Sequence, residues 1–177
     1  MFKERRYAKT VIALLSVIIV LLALFIFLRL FGIGGRPDAP KPLPEGIKVR
    51  LAEVTSVKDI RTLEVRILED NSKITLRLIG IEEDLMNLHT SEISNRLSGK
   101  QCYLRYDKEV VDDFDRHLVY LYDENKIMVN TWILKEGFST LEITPPNVEL
   151  YRELEAAQEE AWKNGRGLWR KIPYKRR

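Results

Sequence analysis

The sequence predicts an α+β fold, mainly β, with five strands, about three helices and a separate N-terminal transmembrane helix. Three observations carry this. Five stretches between residues 47 and 122 alternate apolar and polar side chains with the period of two expected of half-buried strands. Three helix-length segments run up to glycines at Gly99, Gly137 and Gly165. Val11–Leu28, VIALLSVIIVLLALFIFL, is an 18-residue run with one serine and no charge.

The apolar run comes first in the chain. At 1.5 Å per residue it approaches a hydrocarbon core roughly 30 Å thick, and Leu30, Phe31 and Ile33 extend it past Arg29. Secretory signal cores are about 7–15 residues long and end at a small-residue cleavage site, which is missing here, so an uncleaved span over 11–31 is expected. Residues 1–10 carry Lys3, Arg5, Arg6 and Lys9, a denser basic flank than Arg36 and Lys41 on the other side. That asymmetry places the N-terminus in the cytoplasm and the rest of the chain outside it, in a single-pass membrane protein. Residues 32–46 follow as a linker, and GGRPDAPKPLPEG within it holds four prolines and three glycines.

A folded domain is expected over 47–169. Ile47–Val57 reads as the first strand. Leu63, Val65 and Ile67 mark the second, the polar EDNS at 69–72 a turn, and Ile74, Leu76 and Leu78 the third. Ser91–Leu97 reads as a short helix capped by Thr90 or Ser91 and stopped by Gly99. Gln101–Tyr106 and His117–Tyr122 are the remaining strands, and Met128–Glu136 is a helix stopped by Gly137. Pro145-Pro146-Asn147 introduces a last helix with Asn147 as its N-cap and Val148, Tyr151, Leu154, Ala161 and Trp162 on its inner stripe. Alternation alone leaves a small α+β sheet or a barrel, and five strands with interposed helices suit a five-stranded OB-type barrel.

Composition bounds the function. The single cysteine, Cys102, excludes an intrachain disulfide, and its place between apolar neighbours predicts a buried core residue. The net charge of +3 is unevenly spread. Residues 1–37 hold six basic and one acidic residue, residues 38–169 hold 18 basic and 25 acidic, and the tail at 170–177, RKIPYKRR, is purely basic in its charges. An acidic domain is a poor match for a nonspecific nucleic-acid binder, which needs a basic face to neutralise phosphates.

The segment Asp112–Gly137, DDFDRHLVYLYDENKIMVNTWILKEG, resembles the signature of the thermonuclease (staphylococcal-nuclease-like) family, D-x-[YF]-G-R-x-L-[AV]-Y-[VIL]-[YW] followed by x-[MVL]-V-N-x-x-[LI]-[VIL]-x-x-G. The likeness runs over about residues 47–169 and includes the final GLW at Gly167–Trp169. It implies the OB-fold barrel and calcium-dependent phosphodiester hydrolysis. It further implies two phosphate-gripping arginines. Arg77 in TLRLIGIEEDL matches the one in the strand motif [FY]-R-L-x-x-[VI]-D-x-P-E, and Arg116 matches the arginine of D-x-[YF]-G-R.

The metal side of that pattern is altered. In KDIRT, Asp59 and Thr62 match D-G-D-T, but Arg61 stands where the family has a calcium-ligating aspartate. The second ligand becomes Glu82, and the catalytic glutamate falls on Leu85, which cannot orient water or accept a proton. Glu82, Glu83 and Asp84 form an acidic run, and a one-residue loop shift would bring Asp84 to the glutamate's place. Asp115 replaces the motif's glycine, Asp113 its usual basic residue, and the aromatic pair that usually precedes the last helix is missing from STLEITPPN at 139–147. His89 and His117 lack metal-ligand spacing and read as surface or edge residues.

The residues therefore favour a membrane-anchored, thermonuclease-like domain that has lost hydrolysis and binds nucleic acid or another membrane or exported protein. An ion pair from Arg61 to Glu82 would fill the vacated metal position, and no cofactor is expected. The alternatives are an active phosphodiesterase using calcium held by Glu82, Glu83 or Asp84, and a structural subunit of a membrane complex. The residues that would touch nucleic acid are unassigned by the sequence.

Overall fold

The computed structural model describes residues 19, 20, 23, 43–83 and 88–171. The expected membrane span lies outside these apart from Ile19, Val20 and Ala23, which are helical and exposed. Among the described residues no helix is long and apolar enough to cross a membrane. The chain divides into two compact units, Met1–Ala39 and Pro40–Arg177, and the second holds every strand among the described residues.

Five strands close into a barrel. They are β1 (Arg50–Val57), β2 (Thr62–Ile67), β3 (Lys73–Leu78), β4 (Gln101–Arg105) and β5 (Arg116–Tyr122), in the order β1-β2-β3-β5-β4 with β4 returning to β1. All neighbours are antiparallel except β3 and β5, which run parallel with Thr75 opposite Arg116 and Arg77 opposite Leu118. The alternation seen in the sequence is the inside–outside alternation of the barrel wall. Ala52, Val54, Leu63, Val65, Ile67, Leu76, Leu78, Cys102 and Leu104 are all buried. β5 departs from alternation. Leu118 through Tyr122 are buried without a break, because helices cover the outer face of this strand.

Three helices pack on the barrel: α1 (Thr90–Leu97), α2 (Val129–Glu136) and α3 (Tyr151–Lys163), followed by a 3₁₀ turn at Gly167–Lys171. α1 contributes Ile93 and Leu97 to the core, α2 Val129, Ile133 and Leu134, and α3 Leu154 and Ala157. Gly137 ends α2 in a left-handed conformation at φ 69°. A Cβ there would lie 2.4 Å from the Arg166 carbonyl oxygen, so the glycine also permits the chain beyond α3 to close on α2. Asn130 is the internal tie. Fully buried, its Oδ1 accepts the Leu121 N–H at 2.9 Å and its Nδ2 donates to the Ile79 carbonyl at 2.8 Å, joining α2 to both β5 and the end of β3.

Three sequence expectations change. The cap of α1 is His89, not Thr90 or Ser91, and it makes no side-chain cap bond. α3 begins at Tyr151 behind Leu150, so Asn147 is not its cap. Asn147 instead bonds the backbone of Glu109 in both directions, at 2.8 and 2.9 Å, pinning the loop after β4 to the segment before α3. With the helix starting later, Val148 is exposed and the inner stripe is Leu154, Ala157 and Ala161. The linker's last residues are not free of the domain. Leu43 packs on the core, and its N–H donates to the Lys126 carbonyl.

Candidate functional site

The site lies at one end of the barrel, where three pieces of chain meet. The turn between β1 and β2 supplies Asp59 and Arg61. The end of β3 and the segment after it supply Arg77, Glu82 and Glu83. The segment after α2 supplies Thr140 and Glu142. Backbone pairing sets the last contact. Ile81 bridges Leu141, the Glu82 N–H donates to the Thr140 carbonyl, and the Glu142 N–H donates to the Gly80 carbonyl.

Asp59 builds the first turn. Its Oδ1 accepts the N–H groups of Arg61 and Thr62, each at 2.8 Å, which holds Arg61 in one orientation. The Arg61 side chain is only 8% exposed. A buried guanidinium needs partners, and it has two: Nη2 donates to Glu83 at 2.7 Å and Nη1 to Glu142 at 3.0 Å. The expected pairing of Arg61 with Glu82 is therefore replaced by Glu83 and Glu142. Glu82 turns the other way and accepts a hydrogen bond from the Thr140 hydroxyl. Successive residues of an extended segment point to opposite sides, so only one of the two glutamates can face Arg61.

Arg77 stands beside Arg61, and the two share Glu142, whose Oε2 lies 3.5 Å from Arg77 Nη2. Burial, together with the positive charges of Arg61 and Arg116, holds the Arg77 guanidinium below its ordinary pKa despite the opposing pull of Glu142 and Asp112. Arg116 lies opposite Thr75 across the parallel β3–β5 pair, two residues before Arg77, so the two arginines stand on neighbouring strands.

Arg116 is set by the acidic turn before β5. Asp112 Oδ2 accepts its Nε at 2.8 Å and lies 2.7 Å from its Nη2 as an ion pair, and Asp112 Oδ1 also accepts the backbone N–H groups of Phe114 and Arg116 at 3.0 Å. Burial pushes the Asp112 carboxyl up, but these hydrogen bonds and the Arg116 charge outweigh it and leave the group below the usual carboxylate range. Asp115 occupies the turn position where the motif has glycine, and its backbone is left-handed, φ 58°. Aspartate is one of the few side chains that tolerates this conformation, so the turn survives the substitution. Phe114 at the tip is 78% exposed and lies under the Arg116 guanidinium, 5.1 Å from ring centre to Cζ.

The remaining candidates divide simply. Asp84 and Leu85 lie outside the described residues. Among the described residues no group of three or more His, Cys, Asp or Glu side chains converges as a metal site. His89 stacks on Phe138 at 4.3 Å and pairs with Glu92, and His117 contacts the Tyr106 hydroxyl at 3.3 Å. Cys102 is a core residue whose thiol burial pushes up to about 12. Sequence reasoning missed Glu142. No motif marks it, and it reaches the site only through the pairing of the post-α2 segment with residues 80–82.

A closed five-stranded barrel with Arg77 and Arg116 on neighbouring strands describes the fold and the site, and comparison with known proteins gives the family. The model described as "Staphylococcal nuclease homologue" matches residues 49–171. The chain belongs to that family. One similar curated protein is the thermonuclease of Staphylococcus hyicus, 28% identical over 112 residues, which is 57% of this chain and 66% of that protein. The chain thus spans just under two thirds of its relative's length.

Proposed function

We propose that this protein is a membrane-anchored member of the family in which metal-dependent hydrolysis has given way to binding, with the barrel held outside the cytoplasm by the apolar segment at 11–31. One observation carries the reading. A buried guanidinium, Arg61, stands where the family pattern has a ligand aspartate, and it is bonded to Glu83 and Glu142. Calcium takes 6–8 oxygen ligands, several of them carboxylate. Here Glu83 is engaged by the arginine, Glu82 by Thr140 and Asp59 by two backbone N–H groups. That donor set does not suit calcium.

What the site offers instead is guanidinium charge held in fixed positions by carboxylates. Arg77 and Arg116 carry guanidinium groups on neighbouring strands, with Arg61 buried beside Arg77, and guanidinium forks recognise phosphate and carboxylate oxygens. Such charge suits a binding module for a nucleic acid or another exported or membrane protein. The test is incubation of the purified full chain with single-stranded DNA and RNA, with and without calcium. Salt-sensitive binding with intact substrate is expected. Calcium-dependent cleavage that Arg116→Ala abolishes would overturn the reading in favour of an active phosphodiesterase.

A further inference from the structure

The end of the barrel formed by the starts of β1 and β5 holds a polar cluster that the arginine site does not use. His117 lies opposite Leu76 in the β3–β5 pair and Arg50 opposite Leu104 in the β1–β4 pair, so both share the inner side of the wall with buried leucines. The half-buried His117 ring meets Tyr106 edge-on, 5.9 Å between centres, with Nδ1 3.3 Å from the Tyr106 hydroxyl. Residues 110–112 fold back as an arm on the start of β5. The Asp112 N–H donates to the Arg116 carbonyl at 3.0 Å, the Leu118 N–H donates to the Val110 carbonyl at 2.9 Å, and Val111 bridges His117. His117 therefore stands where the arm carrying Asp112 meets the barrel, next in sequence to the arginine that Asp112 holds.

We propose that His117 is a pH-sensitive latch: while neutral it fastens this arm to the barrel end through Tyr106, and its protonation lets the arm, and with it the Asp112–Arg116 pair, come away. The charges around the ring set the direction. Arg50 from β1 opposes a second cation, and its own partners, Glu69 at 3.7 Å and Asp70 at 3.4 Å, come from the turn after β2. Glu69 also acts on Tyr106. Asp115, in the turn before β5, favours protonation, and β3 faces the ring with the apolar Leu76. Burial and the Arg50 charge outweigh Asp115 and hold the imidazole below its ordinary pKa. In an open arm the ring returns to the ordinary value of about 6.5. The latch is therefore whole above that value and is lost as pH falls from it through the lower folded value. It goes beyond the proposed function and stands whether or not hydrolysis has been lost, since Arg116 is at issue in both.

Hydrogen exchange of the full chain in detergent, read by mass spectrometry and divided by the intrinsic rate at each pH, tests the latch. From about pH 7.5 to about pH 5, exchange across 107–118 is expected to rise at least about threefold as the open arm takes up the proton, while exchange across β2 stays level. His117→Gln, which cannot titrate, should hold 107–118 level over the same range, and His117→Asn serves if that variant does not fold. His89 is the other histidine of the chain, and His89→Gln should respond as the unmodified protein does. No rise in the unmodified protein, a rise that persists in the His117 variant, a rise abolished by His89→Gln, or an equal rise across β2 overturns the latch. None of these outcomes bears on cleavage with calcium, which tests the proposed function separately.

Discussion

Replacing Arg61 by aspartate reverses the charge at the centre of the site and restores the residue type that the family pattern has there. The cost without metal can be worked from the contacts. Arg61 makes charge-assisted hydrogen bonds of 2.7 and 3.0 Å to Glu83 and Glu142. Such bonds are worth about 1.5–3 kcal/mol when both partners are buried. Glu83 and Glu142 are 56% and 41% exposed, so solvent screening reduces the pair to about 2 kcal/mol in total. Two carboxylates left facing a third add about 1–2 kcal/mol of repulsion after they swing outward. Arg61→Asp should therefore destabilise the barrel by about 3–4 kcal/mol. For a domain of this size that is a drop in Tm of roughly 10–16 °C. Calcium should then recover part of the loss. Weak carboxylate sites bind calcium with Kd of roughly 10⁻⁴–10⁻³ M, so about 10 mM calcium returns about 1.4–2.7 kcal/mol. Differential scanning fluorimetry of both proteins in EDTA and in calcium is the assay. The unmodified protein should melt at the same temperature in both. If calcium raises its Tm as much as that of the variant, or if R61D costs less than about 1 kcal/mol, Arg61 has not taken the place of a metal ion.

Other perturbations probe the frame around the site. Asn130→Ala strips partners from the Leu121 N–H and the Ile79 carbonyl in a fully buried position, and should lower stability in urea unfolding by about 3 kcal/mol. Asp112→Asn should cost about 1 kcal/mol at pH 7. The folded carboxyl lies below its ordinary pKa, so its contribution is present above the unfolded value of about 3.9 and is lost as pH falls through the folded value. The Tm gap between D112N and the unmodified protein should therefore narrow as pH falls below the unfolded value in a pH series, and a gap that stays constant through the acid range would refute an electrostatic role. Cys102, with its thiol held near 12 by burial, should resist Ellman's reagent at pH 8 until denaturant is added.

The barrel was legible because each of its strands obeys one local rule. Leu63, Val65 and Ile67, or Leu76 and Leu78, show the inside–outside period directly, and Gly137 marks the end of α2 as a residue free to take a positive φ. Helix starts were not legible in the same way. Asn147 carries the cap signature, yet its amide is used by Glu109, 38 residues earlier. A side chain that can satisfy any backbone N–H gives no local sign of which one it meets. The arginines of the site were found because they belong to patterns of fixed spacing. Glu142 belongs to none.

That difference bears on how the site came to hold its charge. A buried arginine at position 61 is untenable alone, and the two carboxylates that make it tenable come from different parts of the chain, Glu83 from the segment after β3 and Glu142 from the segment after α2. Neither is an aspartate of the family's metal motif. On the proposed reading the arginine at position 61 is therefore one member of a set of three, and Arg61→Asp alone restores only a weak calcium site. Arg61→Asp leaves Glu83 and Glu142 as added negative charge, while Glu142→Gln leaves Arg61 in place with Glu83. The strongest reversion is the combination of Arg61→Asp with Glu142→Ala. It should lose less stability without calcium than R61D alone, because one of the two repelling carboxylates is gone. Coupling of this kind between residues in contact is measured by the double-mutant cycle. Additive effects of the two substitutions would mean that Glu142 and Arg61 do not act together.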